Sequence, residues 1–129
     1  MLEIRPLHSI FAAEVSGLDL SGALDEGVVE QVRDAFQQYS VLVFRDQDIS
    51  DDQQIAFSRL FGDLEQTRAG AADAGGSLIR LSNMGPDGAI VAPSDKQVRN
   101  KKANQQWHAD SSFKREPAKA SLLSARIIP

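Results

Sequence analysis

The sequence contains no cysteine, which excludes disulfides, thiolate zinc sites, iron–sulfur clusters and thiol nucleophiles from these 129 residues. Aromatic side chains make up only 6%, and histidine occurs twice, as His8 and His108. Any imidazole chemistry therefore starts from those two residues. Long apolar runs are also missing. The longest run of Leu, Ile, Val and Phe is Val41-Leu42-Val43-Phe44, far short of the roughly 18 to 20 residues that span a bilayer. The first thirteen residues carry Glu3, Arg5, Pro6 and His8 instead of the unbroken apolar stretch of an export signal, so a cytoplasmic location is expected. Nor is there an excess of positive charge. A net charge of −4 and a pI near 5.1 argue against a general nucleic-acid binder, because neutralising phosphates requires a basic surface. The expected partner is a small molecule, with no nucleic acid and no membrane. What is present, 42% hydrophobic and 25% charged residues, is the composition of an ordinary globular protein about one domain long.

Hydrophobic spacing divides the chain. Leu2 and Ile4 alternate with polar residues, and Val15, Leu18 and Leu20 recur in a Gly- and Ser-punctuated stretch, so short strands are expected there. From Asp25 onward Val28, Val29, Val32, Ala35, Phe36 and Tyr39 mark one face of a helix that ends near Gln38. Ser40 to Arg45 packs four apolar residues into a run too short for a helix, as in a strand buried on both faces. Ser50-Asp51-Asp52-Gln53 has the form of a capping box, with two acids placed favourably for the helix dipole. It predicts a helix over Asp51 to Phe61 that packs Phe57, Leu60 and Phe61 onto a sheet containing Val41 and Val43, with Gly62 as a left-handed stop. Thr67 to Gly76 is mostly Ala and Gly and reads as a loop. Leu78 to Asn83 and Ala89 to Ala92 flank Gly85-Pro86-Asp87-Gly88, a turn signal that predicts a hairpin. The polar stretch Pro93 to Gln106, with Lys96, Arg99, Lys101 and Lys102, reads as a solvated loop; at the mouth of a site its charge would draw in an anion.

The chemistry-bearing candidates follow that loop. If Trp107 to Phe113 is extended, residues two apart share a face, and His108 and Asp110 present an imidazole and a carboxylate side by side. Two histidines and one carboxylate form the facial triad of non-haem Fe(II) oxygenases, which leaves positions open for a co-substrate and O₂. His-x-Asp supplies two of those three ligands, and alone it is also what a surface histidine beside an acid looks like. His8 could be offered as a third ligand, but a packed or capping histidine is the simpler reading of its position. Trp107 and Phe113 are expected to pack as core aromatics.

Three ordered blocks narrow the choice: Ser40-Val-Leu-Val-Phe-Arg-Asp-Gln47, then Ser50 through Phe61-Gly62-Asp-Leu-Glu65, then Trp107-His-Ala-Asp-Ser-Ser-Phe113. Together with Pro6-Leu7-His8 and Phe11-Ala12-Ala13, they resemble the taurine/2,4-dichlorophenoxyacetate dioxygenase family, most of all its phenoxyacetate-herbicide branch. The resemblance implies an α+β, mainly β fold: an incomplete double-stranded β-helix (jelly roll, cupin-like) with two flanking helices. It also implies Fe(II) as the metal, held in part by His108 and Asp110, and 2-oxoglutarate as co-substrate. The implied reaction hydroxylates a small anionic substrate such as an aryloxyalkanoate, with formation of succinate and CO₂. A hydroxylated carbon that bears a leaving group then collapses to a carbonyl.

Asn104, four residues before the metal histidine, falls where the family places a polar contact to substrate. Arg68 is the cation that follows the Phe-Gly-Asp-Leu-Glu block, near where the family can contact the substrate's anionic group. The phenoxyacetate branch can carry a lysine slightly later, where this chain has Gly70. In the family a Gly-Gly-Asp-Thr segment, a distal histidine and two arginines come after the region matched by Pro129. Residues 1–129 are therefore expected to be the amino-terminal portion of a single dioxygenase domain, inactive alone, whose full-length form has room to be a homo-oligomer. A non-catalytic remnant or interaction module of the same fold, and a jelly-roll protein using Mn or Zn for another reaction, stay open at this stage.

Overall fold

The computed structural model describes residues 1–65, 78–79, 81–85, 88–90, 106–112 and 114–127. They divide into two compact units, Met1–Leu64 with Leu122–Pro129, and Glu65–Ser121.

The first unit holds every named element. Strand β1 (Glu3–Pro6) pairs antiparallel with β2 (Ala13–Ser16), with Ile4 opposite Val15. Helix α1 (Glu26–Tyr39) then carries the chain to β3 (Leu42–Val43), which lies parallel to β2 with Ala13 opposite Leu42. The sheet order is β1-β2-β3, and α1 provides the long connection that a parallel pair requires. Gly17, at φ +77°, lets the chain leave β2 against the amino terminus, where a Cβ would stand 2.1 Å from the Met1 carbonyl oxygen; only glycine fits so close an approach.

Both expected helices form. Helix α1 starts after Asp25, whose carbonyl accepts from the Val28 and Val29 amides. It stops at Ser40, which adopts a left-handed conformation at φ +62° and donates its N–H to the Phe36 carbonyl at 2.8 Å. Helix α2 (Asp51–Arg59) has the full capping box: the Ser50 hydroxyl accepts from the Gln53 amide and the Gln53 side chain accepts from the Ser50 amide at 2.7 Å. It ends earlier than the sequence predicts, and Gly62 is not its left-handed stop. After Arg59 the amides of Leu60, Phe61 and Gly62 donate three residues back, the tightened geometry common at helix ends. The freed Leu60 carbonyl accepts from the Arg33 guanidinium at 2.6 and 2.9 Å, a cation placed where the helix dipole favours one.

Val15, Leu20, Val32, Ile49 and Phe57 form the buried centre, with Leu42, Phe44, Leu60, Phe61 and Leu122 packed against it. Phe57 stands edge-to-face with both Phe44 and Phe61 at ring-centroid distances of 5.5 and 5.6 Å, a favoured aromatic geometry. Phe57, Leu60 and Phe61 thus pack as expected, but onto Leu42 and Phe44. Val41 is 45% exposed. The Val41–Phe44 run is consequently not covered on both faces: β3 is a two-residue edge strand, and alternation sends its even-numbered side chains inward. Gln47 ties this run to the loop after β2, accepting from the Leu20 amide at 2.9 Å and donating to the Leu18 carbonyl.

In the second unit, the turn expected around Gly85 to Gly88 is present. The Gly88 amide donates to the Gly85 carbonyl and the Gly85 amide to the Ala89 carbonyl, and among the described flanking residues Met84 forms an antiparallel bridge with Ile90. Helix exceeds strand among the described residues, 14 and nine residues against four, four and two, so the expected β predominance is not seen there. No helix among the described residues is long and apolar enough to cross a membrane.

Candidate metal centre

His108 and Asp110 lie in the second unit, on a turn and not on the extended strand the sequence suggested. The chain bends at Gln106 and Trp107 and turns through Asp110, Ser111 and Ser112. Ser111 takes φ +56°, a left-handed conformation that costs a residue with a Cβ about 1 to 2 kcal/mol, and its carbonyl accepts from the Lys114 amide at 2.9 Å. The turn still brings the two side chains together: His108 Nε2 is 3.3 Å from Asp110 Oδ1.

The remaining atoms of both side chains are engaged. His108 Nδ1 is 2.8 Å from the Gln106 carbonyl oxygen. A carbonyl only accepts, so Nδ1 carries the proton and the Nε2 lone pair is directed away from it. Asp110 Oδ2 accepts from the Ser121 hydroxyl at 2.8 Å. Nε2 and Oδ1 therefore face each other, either across a proton on Nε2 or, with Nε2 unprotonated, as two acceptors that a cation can bridge. Two donors at right angles on a metal, with bonds of about 2.1 to 2.2 Å, stand about 3.0 to 3.1 Å apart. The 3.3 Å separation fits neighbouring positions on one ion after a small adjustment. The backbone carbonyl on the far ring nitrogen is the usual outer partner of a metal histidine.

His108 and Asp110 side chains are 43% and 59% exposed, and among the described residues no group of three His, Cys, Asp or Glu could hold a metal. His8 serves as a cap: its Nδ1 accepts from the Ile10 amide at 3.2 Å, and its ring packs on Phe11. Trp107 is fully exposed, contrary to the expected core position, because the bend turns it away from any described apolar neighbour. Arg68, Asn104, Phe113 and the basic residues Lys96, Arg99, Lys101 and Lys102 lie outside the described residues.

Four residues to which pattern reading gave no role, Ser121, Glu65, Ser111 and Lys114, support the turn that carries the pair. Ser121 holds Asp110. Glu65 accepts from the Ser111 hydroxyl through both carboxylate oxygens, at 2.8 and 2.7 Å, and ion-pairs with Lys114. The Lys114 ammonium, followed by the Ser111 hydroxyl, holds the Glu65 carboxyl below the usual carboxylate range. Glu65 and Ser111 both belong to the quoted blocks, but no periodicity or motif spacing links residues so far apart.

Residues 3–129 match the taurine catabolism dioxygenase TauD, TfdA family, and the chain belongs to that family. It is 40% identical to the alpha-ketoglutarate-dependent 2,4-dichlorophenoxyacetate dioxygenase of Cupriavidus pinatubonensis, over 97% of this chain and 45% of that protein. It is 37% identical to the (S)-phenoxypropionate/alpha-ketoglutarate-dioxygenase of Sphingobium herbicidovorans, over 98% of this chain and 41% of that protein. Among solved structures, AAD-2 in complex with Mn(II) and N-oxalylglycine aligns with a TM-score of 0.77 at 41% identity, covering 92% of this chain and 40% of that one. The chain thus spans less than half the length of these relatives.

Proposed function

We propose that this segment belongs to an Fe(II)- and 2-oxoglutarate-dependent dioxygenase that hydroxylates a small anionic substrate of the aryloxyalkanoate class, consuming O₂ and forming succinate and CO₂. The observation that carries the reading is the facing of His108 Nε2 and Asp110 Oδ1, 3.3 Å apart with their other polar atoms engaged. Family membership and relatives named for dioxygenation of phenoxyalkanoates support the reaction and substrate class. On this reading residues 1–129 are the amino-terminal part of one jelly-roll domain, and a second imidazole from elsewhere in the protein completes the ligand set.

When bound, the metal and co-substrate supply the oxidising chemistry; the protein supplies position and a dry site. His108 offers Nε2 because the Gln106 carbonyl keeps the proton on Nδ1. Asp110 offers Oδ1 because Ser121 occupies Oδ2, and its charge offsets part of that of a divalent ion. Asn104 would contact the substrate, and Arg68 would pair with its anionic group.

The test is succinate formation under O₂ with Fe(II) and an aryloxyalkanoate, measured on the protein at its full natural length. Iron-dependent succinate is expected, and residues 1–129 alone should give none, because their other histidine, His8, is a turn cap. Full-length protein that binds metal but forms no succinate would leave a non-catalytic module. Robust turnover by residues 1–129 would contradict the proposed ligand set.

A further inference from the structure

We propose that Glu65 is the positioning residue of the metal-ligand turn, holding Ser111 in its left-handed conformation and thereby aiming Asp110 at His108. Its consequence for metal binding rests on the proposed dioxygenase reading.

Ser111 follows Asp110 directly, and its φ of +56° sets the course of the backbone as it leaves the ligand. A serine does not favour that conformation unaided, since its Cβ crowds the following carbonyl. Three contacts hold it. Its hydroxyl donates to both oxygens of Glu65, its carbonyl accepts from the Lys114 amide, and the Lys114 ammonium ion-pairs with Glu65. They close a ring in which Glu65 is the anchor outside the turn among the described residues. The Glu65 and Lys114 side chains are 34% and 26% exposed, so the ring is partly shielded from water and charge-assisted, which strengthens each bond. On the other side, Ser121 fixes Asp110 Oδ2. The ligand carboxylate is thus held from its backbone by Glu65 and from its outer oxygen by Ser121. Glu65 contacts neither ligand and acts through Ser111.

The hydrogen bonds from Ser111 are needed because Ser111 carries a Cβ, which yields a discriminating test. Glycine holds a positive φ without steric cost, so Ser111→Gly should restore a turn that Glu65→Ala has loosened. Two quantities are measured on the protein at its full natural length: amide hydrogen exchange at Lys114 in the metal-free state, and the Kd for Mn(II) by electron paramagnetic resonance. For Glu65→Ala, Lys114 exchange should rise about tenfold and the Mn(II) Kd should rise about 10- to 100-fold, the usual cost of losing an outer partner of a metal ligand. Adding Ser111→Gly should return both most of the way, whereas adding Ser111→Ala should not. Glu65→Gln keeps an acceptor for Ser111 and should fall between; it carries the comparison if Glu65→Ala lowers the melting temperature of the whole protein. Wild-type exchange in Glu65→Ala, or a loss that Ser111→Gly leaves unrelieved, would overturn the proposal. If wild-type protein takes up no Mn(II), the dioxygenase reading fails, while Lys114 exchange still decides the role of Glu65.

Discussion

The described residues of the two units are ordered by different physics. In the first, Val15, Val32 and Phe57 are buried at 2%, 2% and 7% exposure, and side-chain hydrogen bonds such as the Ser50–Gln53 box finish elements that apolar packing has already placed. In the second, Ile79, Leu81, Ile90 and Trp107 are well exposed, and the described order of the ligand turn comes from polar contacts: Glu65 to Ser111 and Lys114, Ser121 to Asp110, Gln106 to His108. Burial fixes a scaffold, whereas directed hydrogen bonds aim a ligand. Substitutions in the two units should therefore separate stability from chemistry.

The largest expected effect is chemical. On the proposed reading, His108→Ala or Asp110→Ala in the full-length protein should bring succinate formation down to background, because each would remove one of three proposed metal ligands. Thermal stability should barely change, since substitutions at exposed side chains usually stay within about 0.5 kcal/mol. Asn104→Ala should cost less activity than Asp110→Ala, because it would remove only the proposed substrate contact and leave the proposed metal ligands in place. Steady-state kinetics beside a melting curve checks both; an active His108→Ala enzyme would remove the metal assignment.

The reverse pattern is expected in the first unit. Phe57→Ala deletes a ring that contacts both Phe44 and Phe61 and should destabilise the fold by about 3 to 5 kcal/mol in denaturant titration. Ser50→Ala should cost about 1 kcal/mol by removing the hydroxyl that accepts from the Gln53 amide. If either variant kept full stability, the core or the cap would be doing less than its geometry indicates.

How legible each unit was in the sequence follows the same division. Helices α1 and α2 could be read because Val29, Val32 and Ala35, and the Ser50–Gln53 box, are local signals a few residues apart. The inward face of the Val41–Phe44 run could not be read because four consecutive apolar residues carry no alternation; in the fold Leu42 and Phe44 pack against the core. His108 and Asp110 could be singled out from their spacing and neighbouring blocks, but not their turn, since Ser111 gives no sign of a left-handed φ. Glu65 could not be assigned a role at all. A contact between Glu65 and Ser111, 46 positions apart, leaves no periodic trace.

The smallest expected effect tests whether polar contacts also matter on the exposed side of the first unit's sheet. Glu14, on β2, accepts from Arg45 at 2.8 Å and Arg5 at 3.1 Å. The Arg45 hydrogen bond, against some desolvation and with help from Arg5, holds its carboxyl below the usual carboxylate range. A depressed folded-state pKa means that the charged form is favoured by folding. The resulting stability is present above the ordinary glutamate pKa and is lost as pH falls through the depressed value. Both arginine side chains are 62% exposed, so solvent and salt screen the pair strongly. Glu14→Gln should therefore lower the melting temperature only slightly at neutral pH and low salt. The difference should shrink in molar salt and vanish in acid below the depressed pKa. A difference that persisted in acid would mean that Glu14 supports the sheet through its shape or its hydrogen bonds alone, and the second unit's reliance on charged contacts would then have no counterpart here.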